Sequence, residues 1–286
     1  MTRYGFLSTY PPTRCGLATF TEALAGALTG TGTRDSTIVR VLDSPIDRPG
    51  PTVVGSIPTT RELIAGDTVS LGASVRALEE CDVAIVQHEY GIYGGPDGDE
   101  VVTLLRMLGT PTIVVLHTVL SAPTRHQREV LESVCESAAA VVVMTENARD
   151  ILMSTYRVTP MKVRVIPHGV PVQHATSAPR RNSRKRVLTW GLISPGKGLE
   201  WGIRAISELG GLASPVEYVI AGQTHPKVLA REGERYREAL QRIITDLGLD
   251  DTVTMDDRYL DATQLADLVT VSSSPRSVMS RWSAAR

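Results

Sequence analysis

The chain has 286 residues, enough for one large or two ordinary domains, and its 42% hydrophobic and 21% charged residues exclude a disordered protein. A formal net charge of −1 excludes the basic excess of a nucleic-acid-binding protein. Three scattered cysteines, Cys15, Cys81 and Cys135, give neither a disulfide framework nor metal-binding C-x-x-C spacing, which favours a reducing compartment. With neither a signal sequence nor a run of about 18 apolar residues, the sequence predicts a cytoplasmic protein without a transmembrane segment, and peripheral membrane contact stays open.

Short apolar runs alternate with helical patterns through the first part of the chain. Helices are predicted at 18–30 and 124–138, where apolar residues recur at three- and four-residue spacing. The predicted strands cover 4–8, 36–42, 82–87, 112–117, 139–144 and 162–167. Because these runs are apolar throughout rather than alternating, they predict a parallel sheet covered by helices on both faces.

The alternation stops at residues 169–186, which are rich in Pro, Ser and Arg and have no period. We interpret residues 173–185 as a linker that follows a first domain over residues 1–172. The stretch contains a basic cluster made of Arg180, Arg181, Arg184, Lys185 and Arg186. No aromatic or glycine-rich sequence accompanies this cluster, so we interpret it as a solvated linker surface rather than a nucleic-acid site.

The alternation restarts in the second part of the chain, with predicted strands at 186–190, 216–222 and 252–257. Helices are predicted near 198–209, 227–248 and 261–271. A further strand is then due, but residues 272–286, SSSPRSVMSRWSAAR, are polar, and about three strands are few for a doubly wound sheet. We therefore expect a partial second domain over residues 186–271 and an aberrant or disordered tail, the result of truncation or a frameshift.

Histidines follow several of the predicted strands, where ligands collect in open parallel sheets. Four of the six in the chain do so: His88, His117, His168 and His225. Each could equally cap a helix or fill a polar gap. His88 and Glu89 look like half of a zinc motif, but no H-E-x-x-H spacing or carboxylate cluster follows, so no metal site is predicted.

Two glycine-containing loops could approach phosphate groups. Gly16, in PTRCG, either forms a plain turn or lets backbone N–H groups reach a phosphate at a helix N-terminus. Residues 191–200, GLISPGKGLE, nearly match the ATP-binding loop, but that loop needs Ser or Thr where Gly198 stands. The next strand ends in AGQTHP without an aspartate, which further disfavours ATP hydrolysis. The segment still predicts a strand followed by a glycine turn, Lys197 and a helix. This arrangement suits the binding of a diphosphate.

Seven segments together resemble GT-B-fold retaining glycosyltransferases of group 1, especially a bacterial mannosyltransferase-like subgroup. In family order they are FLSTYPPTRCGLATFTEAL, VAIVQHEYGIYGGPDG, VVLHTVL, VVVMTENARDIL, VRVIPHGVP, GLISPGKGLE and AGQTHPKVLAREGERYREAL, and the resemblance as a whole runs from residue 6 to about 270. The resemblance implies an α/β, GT-B architecture of two Rossmann-like doubly wound domains facing across a cleft, the second incomplete here. The nucleotide sugar would lie mainly on the C-terminal domain and the acceptor on the N-terminal one.

The resemblance also assigns roles to single residues. His117 looks like the histidine that contacts the transferred sugar and is the catalytic candidate. His88 and Glu89 would line the acceptor side. The implied donor-binding residues are Gly16, Gly191, Gly196, Lys197, Gly198 and Arg258.

Two departures from the family pattern stand out. Leu192 replaces an arginine that usually accompanies the diphosphate lysine, and Arg258 is the candidate substitute. The family's E-x7-E donor motif is missing, since no such pair of glutamates follows residue 238. One hypothesis is a transferase that moves a hexose, mannose or glucose, from a nucleotide diphosphate sugar to a carbohydrate or lipid-linked acceptor with retention, using no cofactor or metal. The alternative is a truncated, non-catalytic remnant that binds only nucleotide or acceptor.

Overall fold

The structure is a computed structural model, and it describes residues 2–30, 36–45, 57–169, 185–210, 216–260 and 262–272. These residues divide into two compact units, one ending at Gly169 and the other starting at Lys185. The predicted linker up to residue 184, with Arg180, Arg181 and Arg184, lies outside the described residues, and so does the predicted tail from residue 273 onward.

The first unit is a seven-stranded parallel sheet with helical crossovers. Its strands are β1 (Tyr4–Ser8), β2 (Ser36–Leu42), β3 (Arg61–Ile64), β4 (Val83–His88), β5 (Thr112–Leu116), β6 (Ala140–Val143) and β7 (Val163–Val165). Its helices are α1 (Gly16–Thr29), α2 (Thr68–Glu79), α3 (Glu100–Met107), α4 (Arg125–Ser137) and α5 (Glu146–Thr155). The strand order β3-β2-β1-β4-β5-β6-β7 reverses direction between β1 and β4, so the crevice beyond their carboxyl ends is the expected ligand position.

Alternate residues of each central strand pack into two separate cores, one on each face of this sheet. Phe6 belongs to one core and the adjacent Leu7 to the other, and both side chains are fully buried. Ile85 and Val86 divide in the same way on β4. This two-sided burial confirms the parallel, helix-covered sheet predicted from strand runs that are apolar throughout.

The second unit is a three-stranded parallel sheet in the order β10-β9-β8. Its strands are β8 (Lys185–Trp190), β9 (Val216–Ala221) and β10 (Val253–Asp256), and its helices are α6 (Leu199–Ser207), α7 (Pro226–Glu232), α8 (Arg235–Asp246) and α9 (Ala262–Ser272). One face packs through Ile203, Leu240 and Ile244, and the other buries Leu188 beneath Leu268 of α9.

The prediction of one helix over 227–248 is wrong, because α7 and α8 are separate. Gly233 ends α7 with φ of +64°, a left-handed conformation that favours glycine, and its N–H donates to Leu229 O. The chain then restarts as a helix at Arg235.

The described helices differ in whether a side chain caps their first turn. Thr124 and Gln127 form a reciprocal capping box at α4, and Asp67 and Thr145 accept hydrogen bonds at α2 and α5. By contrast, the N-cap of α6 is Gly198, which has no side chain to accept a hydrogen bond from the first turn. The N–H groups at the start of α6 therefore have no side-chain acceptor at the cap. Of the helices that the structure describes, none has the length and apolar character needed to cross a membrane.

Candidate functional site

Two strand ends bring the predicted histidines of the first unit together. β4 and β5 are neighbours in register, with His88 opposite Leu116, and His117 follows directly after β5. The His117 N–H donates to the His88 carbonyl at 3.0 Å. We call His88, His117 and their neighbours Gln87, Glu89 and Thr118 the histidine cluster. It lies at the carboxyl edge of the sheet, where strand-end reasoning predicted it.

The His117 ring is held between an amide and an aromatic ring. Its Nε2 lies 2.8 Å from Oε1 of Gln87, and the ring packs edge-to-face on Phe20 of α1 with centroids 4.9 Å apart. Burial lowers the pKa of His117 to about 4, and the nearby charge of His168 acts in the same direction. His117 is therefore a neutral imidazole at neutral pH.

His88 is the last residue of β4 and is 1% exposed. Neither of its ring nitrogens has a hydrogen-bond partner among the residues that the structure describes, and the ring packs edge-to-face on Tyr90. Burial lowers the pKa of His88 to about 4, with a smaller contribution from His117. Two neutral histidines thus stand side by side at the ends of β4 and β5.

Glu89 carries the carboxylate of the cluster. One oxygen accepts the N–H of Tyr90 at 3.1 Å, and the other accepts the Thr118 hydroxyl. Burial raises the pKa of Glu89, and these two hydrogen bonds act against that rise. The carboxyl group is fixed in orientation and only partly accessible.

Two further predicted residues of this unit follow β7 and begin α1. His168 is exposed, lies 5.0 Å from the Phe20 ring centroid, and has its Nδ1 2.6 Å from Gly169 O. Gly16 is the first residue of α1, and a Cβ added to it would meet nothing within 4 Å. The cap of α1 is Cys15, whose Sγ accepts the Ala18 N–H at 3.4 Å.

In the second unit, residues 191–198 connect β8 to α6, and we call this segment the lysine loop. Its first residues extend the pairing with β9: Gly191 N–H donates to Ala221 O at 3.0 Å, and Ile193 N–H donates to Gln223 O at 2.8 Å. Gly196 and Gly198 then adopt φ of +84° and +67°, which turns the chain into α6.

A close backbone contact holds the base of the lysine loop. Gly222 follows β9 with φ of +146°, and a Cβ on it would lie 2.1 Å from Gly191 O. A side chain at this position is therefore excluded unless the loop moves. The glycine after β9 lets the ends of β8 and β9 approach each other.

Lys197 is half-buried beside this contact. Its Nζ lies 3.9 Å from the point that a Cβ would occupy if Gly191 carried a side chain. Within the described residues it makes no hydrogen bond and no ion pair. Burial lowers its pKa, and the charges of Lys197 and Lys227 add to burial in lowering the pKa of His225. The loop therefore presents an unpaired cation next to the uncapped start of α6, which is suited to an anion.

Arg258 is engaged elsewhere. Its guanidinium forms a two-pronged ion pair with Asp256, the last residue of β10, and β9 separates that strand from β8. Arg237, which the sequence reasoning missed, reaches from α8 to the carbonyl of Gly222 at the end of β9. Its only sequence signal was its place among alternating charges of REGERYREAL, which does not indicate where a side chain docks.

In the ranges described above, no group of three or more His, Cys, Asp or Glu side chains is placed to bind a metal ion.

The family model described as Glycosyltransferase Family 4 matches residues 15–174, more than half of the chain. No curated protein matches the chain. Among solved structures, the lipopolysaccharide outer core galactosyltransferase WaaB in its apo form is similar with a TM-score of 0.60 and 10% identity, over 96% of this chain and 73% of that one. A UDP-forming α,α-trehalose-phosphate synthase from Burkholderia vietnamiensis gives a TM-score of 0.60 and 15% identity over 94% and 74%.

A third similar structure, from E. coli, is described as trehalose-6-phosphate bound with UDP-2-fluoro glucose. It has a TM-score of 0.57 and 14% identity over 93% of this chain and 76% of that one. At these identities the likeness concerns the fold alone.

Proposed function

The chain belongs to Glycosyltransferase Family 4 and has the α/β fold of GT-B glycosyltransferases, and from this premise we propose which group it transfers and how. We propose that it moves a hexosyl group, mannosyl or glucosyl, from a nucleotide diphosphate sugar to a carbohydrate or lipid-linked acceptor, with retention of configuration. In this proposal the donor binds mainly to the second unit and the acceptor to the first unit.

The observation that supports donor binding is the lysine loop. An ammonium group without an anionic partner in the described residues lies half-buried beside a helix start that has no side-chain cap. A diphosphate would satisfy both: the helix start would contribute about 0.3–1 kcal/mol, and a charge-assisted hydrogen bond from Lys197 about 1.5–3 kcal/mol.

The same groups would act on the reaction. When the bond between the sugar and the diphosphate breaks, negative charge builds up on the departing phosphate oxygens. Lys197 and the backbone N–H groups around Gly196 and Gly198 would stabilise that charge, and Gly16 at the start of α1 is proposed as a further backbone contact. We assign no covalent nucleophile. The sugar would pass through an oxocarbenium-like state, an acceptor hydroxyl would bond to the anomeric carbon on the face from which the diphosphate departs, and the hydroxyl proton would pass to the departing phosphate oxygen.

His117 would position the transferred sugar. A pKa near 4 keeps the ring neutral, so its contacts with sugar hydroxyls would be ordinary hydrogen bonds rather than ion pairs. Glu89, which is partly accessible, would contact the acceptor. His88, which is buried, would line the acceptor side beneath the surface, next to Glu89. The proposal includes neither a cofactor nor a metal ion. The cytoplasmic location and peripheral membrane contact stay predictions that cell fractionation tests.

A calorimetric screen of nucleotide sugars tests the proposal. UDP-, GDP- and ADP-linked glucose and mannose are titrated into the full chain, with and without EDTA. We expect one donor to bind in both conditions. Binding without turnover of any carbohydrate or lipid-linked acceptor would favour a binding-only protein. Phosphate release from ATP that needs Mg²⁺ and is lost in Lys197→Ala would favour nucleotide hydrolysis.

A further inference from the structure

Gln87 is a fully buried polar residue next to the two histidines, and it has no role in the donor or acceptor binding proposed above. It is the last but one residue of β4 and lies opposite Val115 of β5, two residues before His117. Its side-chain Oε1 lies 2.8 Å from Nε2 of His117, a short distance for a neutral hydrogen bond. The end of β4 thus carries an amide that reaches the ring following the next strand.

The backbone of Gln87 is held firmly. Besides its pairing within the sheet, its carbonyl accepts the Tyr93 hydroxyl at 2.7 Å. The ring of His117 is restrained as well, because Phe20 packs edge-to-face against it. With both partners restrained, the amide and the imidazole have little freedom to separate.

The chemistry of this pair selects one form of the imidazole. An amide oxygen only accepts hydrogen bonds, so an Oε1 that faces the ring selects the tautomer in which Nε2 of His117 carries the proton and Nδ1 keeps its lone pair. In this arrangement the amide nitrogen of Gln87 has no hydrogen-bond partner among the described residues. No described residue bonds to Nδ1. A carboxylate at position 87 would favour the charged imidazolium, whereas a neutral amide orients the ring without stabilising its charge.

We propose that Gln87 is a positioning residue for the transfer reaction: it fixes His117 as the Nε2–H tautomer and leaves Nδ1 as a neutral acceptor for a hydroxyl of the transferred sugar. This inference rests on the proposed role of His117, but the tautomer and the Gln87 contact are properties of the protein without donor. Gln87 itself touches no substrate.

The test uses the full chain labelled with ¹⁵N-histidine and long-range ¹H–¹⁵N NMR, with His117→Ala to assign the signals. In the unaltered protein we expect the Nε2–H tautomer and a low pKa of His117. Gln87→Glu should raise the pKa of His117 by about one to three pH units, because it places a negative charge within hydrogen-bond distance. Gln241→Glu adds the same charge on the exposed surface of α8 and should leave the pKa of His117 unchanged.

A second variant keeps the inference testable if Gln87→Glu does not fold. Gln87→Met has similar length but no acceptor, so both tautomers of His117 should become populated. With the donor found in the calorimetric screen, Gln87→Met should lower kcat about tenfold or more while leaving nucleotide affinity within about twofold, the pattern of a misplaced catalytic contact.

An Nδ1–H tautomer in the unaltered protein, or an unchanged pKa in Gln87→Glu, would overturn the inference without touching the transferase proposal. If no nucleotide sugar binds, the transferase proposal fails while the NMR result still decides the Gln87 contact.

Discussion

Replacing Lys197 by alanine should weaken the binding of a nucleoside diphosphate more than any other single substitution in the lysine loop. The ammonium group has no partner in the described residues and lies near Gly191, beside the start of α6. In the free protein its burial lowers its pKa, so the charge is unfavourable there. Lys197→Ala should therefore leave the ligand-free protein no less stable, which separates a binding role from a structural one.

The expected size of the effect follows from the single charge-assisted contact that is lost. Such a hydrogen bond contributes about 1.5–3 kcal/mol, and each 1.4 kcal/mol is about a tenfold change in affinity. The dissociation constant for UDP or GDP should thus rise about 10- to 100-fold. Lys197→Arg should recover part of the loss, because it restores the charge without the geometry of the ammonium.

Isothermal titration calorimetry with UDP and GDP measures this change. Lys185→Ala is the matched control: it removes the same charge from the exposed first residue of β8, about 17 Å from the strand end that carries the loop. An unchanged affinity in Lys197→Ala, or an equal loss in Lys185→Ala, would refute the assignment of the lysine loop to a diphosphate.

His117→Ala should reduce kcat for sugar transfer far more than the affinity for the nucleotide, which calorimetry measures as a dissociation constant. Equal losses would indicate a structural histidine. The folded pKa of about 4 for His88 and for His117 lies below the ordinary histidine value of 6.5. The unfolded chain therefore takes up their protons first, and the free energy of unfolding should be highest above about pH 6.5 and fall toward pH 4. Urea titrations across that range measure the fall, which should be smaller in His88→Leu; an equally steep fall would contradict the buried neutral ring. Gly222→Ala should destabilise the protein by about 2 kcal/mol or more, because its Cβ would clash with Gly191 O and φ is +146°. Gly16→Ala should change stability by less than about 0.5 kcal/mol, since its Cβ meets open space, and a loss of donor affinity in that stable variant would support its phosphate contact.

The strands were the most predictable part of the fold. Runs such as YGFLS and STIVRVL are buried on both faces of the sheet, and the structure has β1 and β2 within the predicted limits. β3 was missed because Arg61 and Glu62 interrupt its apolar pattern within only four residues. The helices α2, α3 and α5 were not predicted, and Gly233 divided a helix that charge and spacing alone had joined.

The histidine cluster was predictable in position but not in detail. Parallel strands place their carboxyl ends at one edge, so His88 and His117 could be expected near each other. The contact between Gln87 and His117 depends on the register of β4 and β5 and on two side-chain conformations. The same limit applies to Arg237, whose contact with Gly222 joins a helix to a strand end through tertiary packing.

The transfer reaction itself is the most direct test of the central claim. The full chain is incubated with the donor found by calorimetry and with carbohydrate and lipid-linked acceptors, in EDTA, and the product is examined by mass spectrometry and by ¹H NMR of its anomeric proton. We expect one acceptor to gain a single hexosyl residue with the anomeric configuration of the donor, and at least about tenfold less product with Lys197→Ala at donor concentrations well below saturation. Release of free sugar without any glycosylated acceptor, or a product of inverted configuration, would contradict a retaining hexosyltransferase.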